Sequence, residues 1–177
     1  MIRLGKRNKW VQISILVVVL VIGGLTMAGS VFKDDKLPRV GDKAPDFKLA
    51  GLDGQVHRLS DYKGKAVIVN FWGTFCEPCR KEMPDIQQQS KEWADSAVVL
   101  GVNVMGESKV TVKSFIDQVK VDFPILLDPD DATRRKYGVA DFPTTFFINP
   151  EGKIVQIVTG PLKEQAIRQT LSAILKK

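Results

Sequence analysis

The chain has 177 residues, of which 44% are apolar and 26% charged, a composition typical of a globular protein with one domain of ordinary size. The net charge of +6 could indicate nucleic-acid binding, but four of the basic residues lie within the first ten positions and the rest of the chain is nearly neutral. Without a basic stripe in the remaining sequence, the charge pattern argues against a nucleic-acid partner.

An apolar segment without charged residues follows the basic N-terminus and covers residues 10–32. As a helix it would be about 35 Å long, and the hydrocarbon core of a bilayer is about 30 Å thick. The sequence therefore predicts a cytoplasmic basic segment at 1–9 and a single transmembrane anchor at 10–32. Because basic residues stay on the cytoplasmic side, the rest of the chain is expected on the extracytoplasmic side. A cleaved signal peptide is the alternative, although the apolar run is long for one.

Residues 33–40 are polar and are predicted to link the anchor to one domain at 41–177. This domain begins with the pattern of a β-hairpin, since Asp53-Gly54 separates two short strand-like segments. The apolar run Ala66–Phe71 predicts a strand that is buried on both faces. A helix is predicted from Cys76 to about Ala94, with Pro78 in its first turn, where a missing backbone N–H is tolerated.

The second half of the domain alternates between patterns of strands and helices. Strands are predicted at Ala97–Val104, Phe123–Leu127, Thr144–Ile148 and Ile154–Thr159, and helices at Lys109–Val119, Asp130–Tyr137 and Glu164–Leu175. An Asp is expected to cap the middle one of these helices. The order of elements predicts an α/β fold in which helices flank a central mixed β-sheet, with the N-terminal β-hairpin as an extension.

The chain contains two cysteines, Cys76 and Cys79. A disulfide between them would close too small a loop to stabilise the fold much, so their spacing indicates chemistry. At the start of a helix, the backbone N–H groups and the helix dipole favour a thiolate, and the pKa of Cys76 is expected below the free value of about 8.5. Cys79 would be covered, one helical turn further on. The pattern predicts thiol–disulfide exchange in which Cys76 attacks and Cys79 resolves the mixed disulfide.

A metal site is not expected, because zinc sites in proteins use about four ligands. The chain has one histidine, His57, and no second pair of cysteines. His57 falls on a strand of the predicted hairpin and is expected to be a surface residue. No other cofactor is expected either.

Several separated motifs resemble the thioredoxin superfamily. They are Trp72-Gly-Thr-Phe-Cys-Glu-Pro-Cys79 after a central strand and Asp141-Phe-Pro-Thr-Thr145 just before a β-hairpin. Further motifs at Gly41–Phe47, Gly106–Ser108 and Pro143–Gly152 resemble the membrane-anchored extracytoplasmic branch of that superfamily, in particular its ResA type. The resemblance covers about residues 41–177 and implies a thioredoxin-like fold.

The resemblance also implies roles for individual residues. Pro143 would be a cis-proline that packs against the cysteine pair and, with Phe142, presents the backbone to a peptide substrate. Glu82 would be an active-site glutamate beside Cys79 that relays protons and raises the pKa of a neighbouring thiol. Trp72 would pack beside the site, and Glu77 and Pro78 would tune the redox potential. The expected catalytic residues are thus Cys76, Cys79 and Glu82, and the expected substrate-contacting residues are Trp72, Glu77, Pro78, Phe142 and Pro143.

The function implied by the resemblance is reduction of disulfides in exported proteins, in particular the haem-binding cysteines of apocytochrome c during cytochrome c maturation. A membrane thiol donor of the CcdA type would re-reduce the protein, which is expected to act as a monomer. Two alternatives stay open. The domain could reduce or oxidise another exported substrate, or it could be a thiol peroxidase, because Gly41–Phe47 also resembles peroxiredoxins.

Overall fold

The computed structural model describes residues 9–10, 13–20 and 36–176, and it divides the chain into two compact units at residues 1–36 and 37–177. In the first unit, residues 13–20 are helical. Within the described ranges, no helix is both long enough and apolar enough to cross a membrane. The predicted anchor at 10–32 and the basic segment at 1–9 lie largely outside the described residues and stay predictions.

The second unit is built on a seven-stranded mixed sheet. Its strands are β1 Lys48–Gly51, β2 Val56–Arg58, β3 Ala66–Trp72, β4 Ala97–Asn103, β5 Ile125–Leu127, β6 Thr144–Ile148 and β7 Ile154–Thr159. The order across the sheet is β2-β1-β5-β4-β3-β6-β7, in which β3, β4 and β5 are parallel and the other pairs are antiparallel. The predicted α/β fold, its mixed sheet and the hairpin extension β1–β2 are confirmed.

Four α-helices and one short 3-10 helix accompany the sheet. The α-helices are α1 Glu77–Glu92, α2 Lys109–Val119, α3 Ala132–Lys136 and α4 Glu164–Leu175, and the 3-10 helix is Leu59–Tyr62. The bounds of α2, α4, β6 and β7 agree with those predicted, because amphipathic spacing marks the two helices and short runs of β-branched and apolar residues mark the two strands.

The sheet separates two hydrophobic cores, and the central strand β3 contributes to both because its side chains alternate between the faces. Ile68 and Trp72 lie in the core that α1, α2 and α4 cover. Val69 and Phe71 lie in the core on the opposite face, with Tyr137 and the segment before β1. All seven residues of β3 are buried, which confirms the prediction of a strand covered on both faces.

The aspartate cap of α3 differs in detail from the prediction. Asp131 occupies the cap position, but it has a left-handed φ of 56° and its side chain makes no cap hydrogen bond. Its carboxylate instead accepts a hydrogen bond from the backbone N–H of Met105 at 2.8 Å. The buried carboxylate of Asp128 caps the helix from outside, accepting from the N–H groups of Thr133 at 3.1 Å and Arg134 at 2.8 Å.

Candidate active site

The two cysteines lie where β3 delivers the chain to the start of α1. Cys76 is the cap residue of the helix, and its Sγ accepts a hydrogen bond from the backbone N–H of Cys79 at 3.2 Å. The two residues form a disulfide, with Cys76 7% exposed and Cys79 completely buried. These positions confirm the predicted placement of both cysteines at the helix start, and their roles as attacking and resolving thiols stay predictions. A thiolate at Cys76 would face a backbone donor and the positive end of the helix, and Cys76 is the cysteine of the pair that keeps some exposed surface.

An aromatic surface lies beside Cys76. Phe75, directly before it, is 60% exposed and packs edge-on against Phe142 with ring centroids 6.0 Å apart. Gly73 leaves room for this arrangement, because a Cβ there would lie 2.3 Å from the Phe75 ring. The Phe142–Pro143 peptide bond is cis, as the resemblance implied. Phe142 is half-buried, and Pro143 is buried.

Glu82 lies one helical turn after Cys79 on α1 and is buried, with 2% of its surface exposed. Its Oε1 accepts from Nδ2 of Asn70 at 2.8 Å, and its Oε2 accepts from the backbone N–H of Leu162 at 2.7 Å. No cation lies within ion-pair distance of Glu82 in the described part of the chain. Burial therefore dominates and raises the pKa of Glu82 to about 7, although both hydrogen bonds act to lower it. The carboxyl can exist in both protonation states near neutral pH.

Trp72 does not contact the surface. It is completely buried and stacks on Phe115 with ring centroids 5.1 Å apart. Gly101 lies beneath it, where a Cβ would come within 3.2 Å of the Trp72 Nε1. The expectation that Trp72 touches substrate is therefore wrong, because the central strand places it in the core. Its role as a packing residue beside the site is confirmed.

Glu77 and Pro78 lie on the exposed first turn of α1, between the two cysteines. The Glu77 carboxylate is an exposed partner of Lys81 at 3.5 Å and of Arg80 at 3.9 Å. Such exposed pairs contribute little to stability, so these side chains remain available to a docked polypeptide.

Two residues of the site were not assigned from the sequence. Asn70 is a polar residue within the apolar run of β3, and that interruption was a signal that could have identified it. Glu107 was noticed only as part of a motif. Its carboxylate accepts hydrogen bonds from the N–H of Thr74 at 2.9 Å, from the Thr74 hydroxyl and from Nδ2 of Asn103 at 2.7 Å. Glu107 thereby holds the loop that leads into Cys76.

His57 lies outside this site. It is on β2, which three strands separate from β3, and its ring hydrogen-bonds Asp53 at 2.9 Å and the Tyr62 hydroxyl at 2.5 Å. Its side chain is 12% exposed and the residue is half-buried, so the expectation of a surface residue holds only in part; its two hydrogen-bond partners belong to the hairpin turn and the 3-10 helix. Among the residues that the structure describes, no cluster of His, Cys, Asp and Glu could hold a metal ion.

Comparisons with known proteins agree with this geometry. The model of the AhpC/TSA family matches residues 40–157. The thiol-disulfide oxidoreductase ResA of Bacillus subtilis (strain 168) is 42% identical, over 96% of this chain and 94% of its own. The ResA of Geobacillus thermodenitrificans (strain NG80-2) is 41% identical, over 90% of this chain and 92% of its own. The crystal structure of a candidate thiol:disulfide interchange protein DsbE from Chlorobium tepidum superposes with a TM-score of 0.73 at 35% identity. It covers 78% of this chain and 99% of its own.

Proposed function

The chain belongs to the ResA thiol-disulfide oxidoreductases within the AhpC/TSA family, and on that basis we propose that it reduces disulfides in exported proteins. The observation that carries the proposal is the asymmetry of the pair: Cys76 keeps 7% of its surface exposed at the helix start, whereas Cys79 is completely buried, one helical turn before the buried carboxyl group of Glu82. An attacking and a resolving thiol need these two different environments.

The reaction proceeds in two exchanges that start from the dithiol form. The Cys76 thiolate attacks one sulfur of the substrate disulfide and forms a mixed disulfide with it. The substrate S–S bond breaks, and the other substrate sulfur leaves as a thiolate. Cys79 then gives its proton to Glu82, and its sulfur attacks Cys76 Sγ. The mixed disulfide breaks, and the second substrate sulfur leaves as a thiolate. Two electrons have passed to the substrate, and the protein holds the Cys76–Cys79 disulfide.

The haem-binding cysteines of apocytochrome c are the substrate that we favour, since the resemblance to the ResA type implies it. An unfolded polypeptide carrying a C-x-x-C-H segment could lie across the aromatic surface of Phe75 and Phe142, which borders Cys76. A membrane thiol donor of the CcdA type would reduce the Cys76–Cys79 disulfide after each cycle, and the protein would act as a monomer.

The location in the cell follows from the N-terminal sequence. The protein would be a single-pass membrane protein anchored by residues 10–32, with its N-terminus in the cytoplasm and residues 41–177 outside. The uncharged run and the basic residues before it support this orientation. Protease accessibility in intact and in permeabilised cells tests it, and a catalytic domain protected in intact cells would contradict it.

The decisive experiment uses an oxidised Cys-x-x-Cys-His peptide and the Cys79→Ala variant of the 177-residue chain. The variant should retain the peptide as a mixed disulfide on Cys76, because no thiol remains to resolve it. Cys76→Ala is the matched control and should trap nothing. If Cys79→Ala traps no peptide, the proposed exchange mechanism fails.

The alternatives are separated by two further measurements. A reduction potential of the cysteine pair near the oxidising end, about −120 mV, would indicate an oxidase, whereas a strongly reducing value supports the proposal. The match to the AhpC/TSA family makes peroxidase activity the second candidate. Consumption of hydrogen peroxide at a rate above that of Cys76→Ala would favour it.

A further inference from the structure

Asn70 has an unusual set of hydrogen bonds for a residue in the middle of a buried strand. It is completely buried, and its Nδ2 donates both to Oε1 of Glu82 at 2.8 Å and to Oγ1 of Thr145 at 2.9 Å. Thr145 is its direct neighbour in the β3–β6 register. The Asn70 Oδ1 has no partner within the described part of the chain. A buried carbonyl oxygen without a donor is uncommon and calls for an explanation.

The two oxygens of Glu82 are not equivalent when the carboxyl takes up a proton. Oε2 faces the N–H of Leu162, a backbone group that can only donate. The carbonyl oxygen of a carboxylic acid is its better acceptor, so we assign that role to Oε2 and place the proton on Oε1, which faces the NH₂ group of Asn70. In the arrangement observed, the O–H group of protonated Glu82 and the NH₂ group of Asn70 would face each other as two donors. The Asn70 oxygen would still lack a hydrogen bond.

We propose that the Asn70 carboxamide rotates by half a turn when Glu82 becomes protonated, so that its oxygen accepts the proton of Glu82. Asn70 is then a positioning residue that offers a donor to the carboxylate and an acceptor to the carboxylic acid. The terminal torsion of an asparagine has two broad, roughly equivalent orientations, which permits this rotation. Thr145 adapts to it, because a hydroxyl accepts from the NH₂ group in one orientation and donates to the oxygen in the other.

Among the groups around Glu82, Asn70 is the hydrogen-bond partner that can change from donor to acceptor. On α1, Cys79 lies one turn before Glu82, and Asp85 lies three residues after it, where its charge adds to the rise in the Glu82 pKa that burial mainly causes. The strands β3 and β6 contribute the uncharged Asn70 and Thr145, and the segment before α4 contributes the fixed Leu162 amide. The rotation would let Glu82 accept a proton from Cys79 and release it later without losing its partner. This consequence rests on the proposed function.

The test is nuclear magnetic resonance of the Asn70 side-chain NH₂ group in the 177-residue chain, with the disulfide intact so that no thiol titrates. Above the transition, at about pH 9, the NH₂ protons should show nuclear Overhauser effects to the Thr145 side chain. At about pH 5 these effects should be lost, with a midpoint near the Glu82 pKa of about 7. An NH₂ group that keeps the same contacts at both pH values would overturn the proposal.

Glu82→Gln gives a second, independent measurement. Its carbonyl must accept from the Leu162 N–H, so its NH₂ group takes the place of Oε1 and imitates the protonated acid. The Asn70 signals of this variant should match the low-pH wild type at every pH. Signals that match the high-pH form, or that still change with pH, would overturn the proposal.

Thr145→Val is the matched control, because it removes the hydroxyl and leaves both the amide and Glu82. The pH response of the Asn70 signals should persist in it. If the Asn70 signals of Thr145→Val no longer changed with pH, the change would be due to the Thr145 hydroxyl, and the proposed rotation of the Asn70 amide would be overturned. None of these measurements involves a substrate, so their outcome is separate from that of the peptide-trapping experiment.

Discussion

The burial of Glu82 has a consequence for stability that can be measured without any substrate. Below pH 4.5 this carboxyl is protonated in both the folded and the unfolded chain, and its titration contributes nothing to stability. Between 4.5, its ordinary pKa, and about 7, its pKa in the fold, the unfolded chain loses the proton while the folded chain retains it. Stability therefore falls as the pH rises through this window.

The size of this loss follows from the two pKa values. A rise from 4.5 to about 7 corresponds to about 3 kcal/mol of unfolding free energy. The glutamine side chain of Glu82→Gln is neutral at every pH, so this variant does not lose unfolding free energy in this way as the pH rises. Relative to this variant, the wild type should become less stable by about 3 kcal/mol between about pH 4 and about pH 9.

Urea unfolding of the oxidised protein at both pH values measures the effect. Any constant cost of the substitution cancels, because only the change with pH is compared. Glu77→Gln, on the exposed first turn of the same helix, is the matched control. The difference in unfolding free energy between wild type and Glu77→Gln should be the same at both pH values. If the difference between wild type and Glu82→Gln is the same at both pH values, the carboxyl is not held at a raised pKa and the reasoning fails.

Three further predictions concern the surroundings of the site. Glu107→Gln should lower the unfolding free energy by about 1 kcal/mol and alter the alkylation rate of Cys76, because the loop before it loses a charged acceptor. Ser108→Ala, which removes only the cap of α2, should leave that rate unchanged. Asp128→Ala should cost about 2 kcal/mol in urea unfolding, since two backbone donors lose their acceptor, and a cost below about 0.5 kcal/mol would refute its role as the cap of α3. Phe75→Ala should raise KM for a disulfide peptide and leave stability nearly unchanged, because the ring is exposed; an unaltered KM would remove the aromatic surface from substrate binding.

The sequence alone predicted the features that depend on adjacent or regularly spaced residues. Amphipathic spacing placed α2 and α4 at their observed bounds, and the apolar run of β3 predicted its burial on both faces. The position of Cys76 at a helix start could also be read directly, because helix caps and first turns depend on a few adjacent residues. The cis-proline and the assignment of Glu82 to the active site were reached through resemblance to a family, since residue spacing alone predicts neither.

Tertiary structure decided which polar groups meet. Asn70 contacts Thr145 across 75 residues and Glu82 contacts the Leu162 amide across 80, separations over which no periodicity carries information. The same holds for Glu107, which holds a loop 33 residues away. The sequence therefore determined the cysteine pair and the elements that present it. Only the packing of those elements decided that Glu82 is desolvated and faces an asparagine, because desolvation and hydrogen-bond partners are properties of the folded chain.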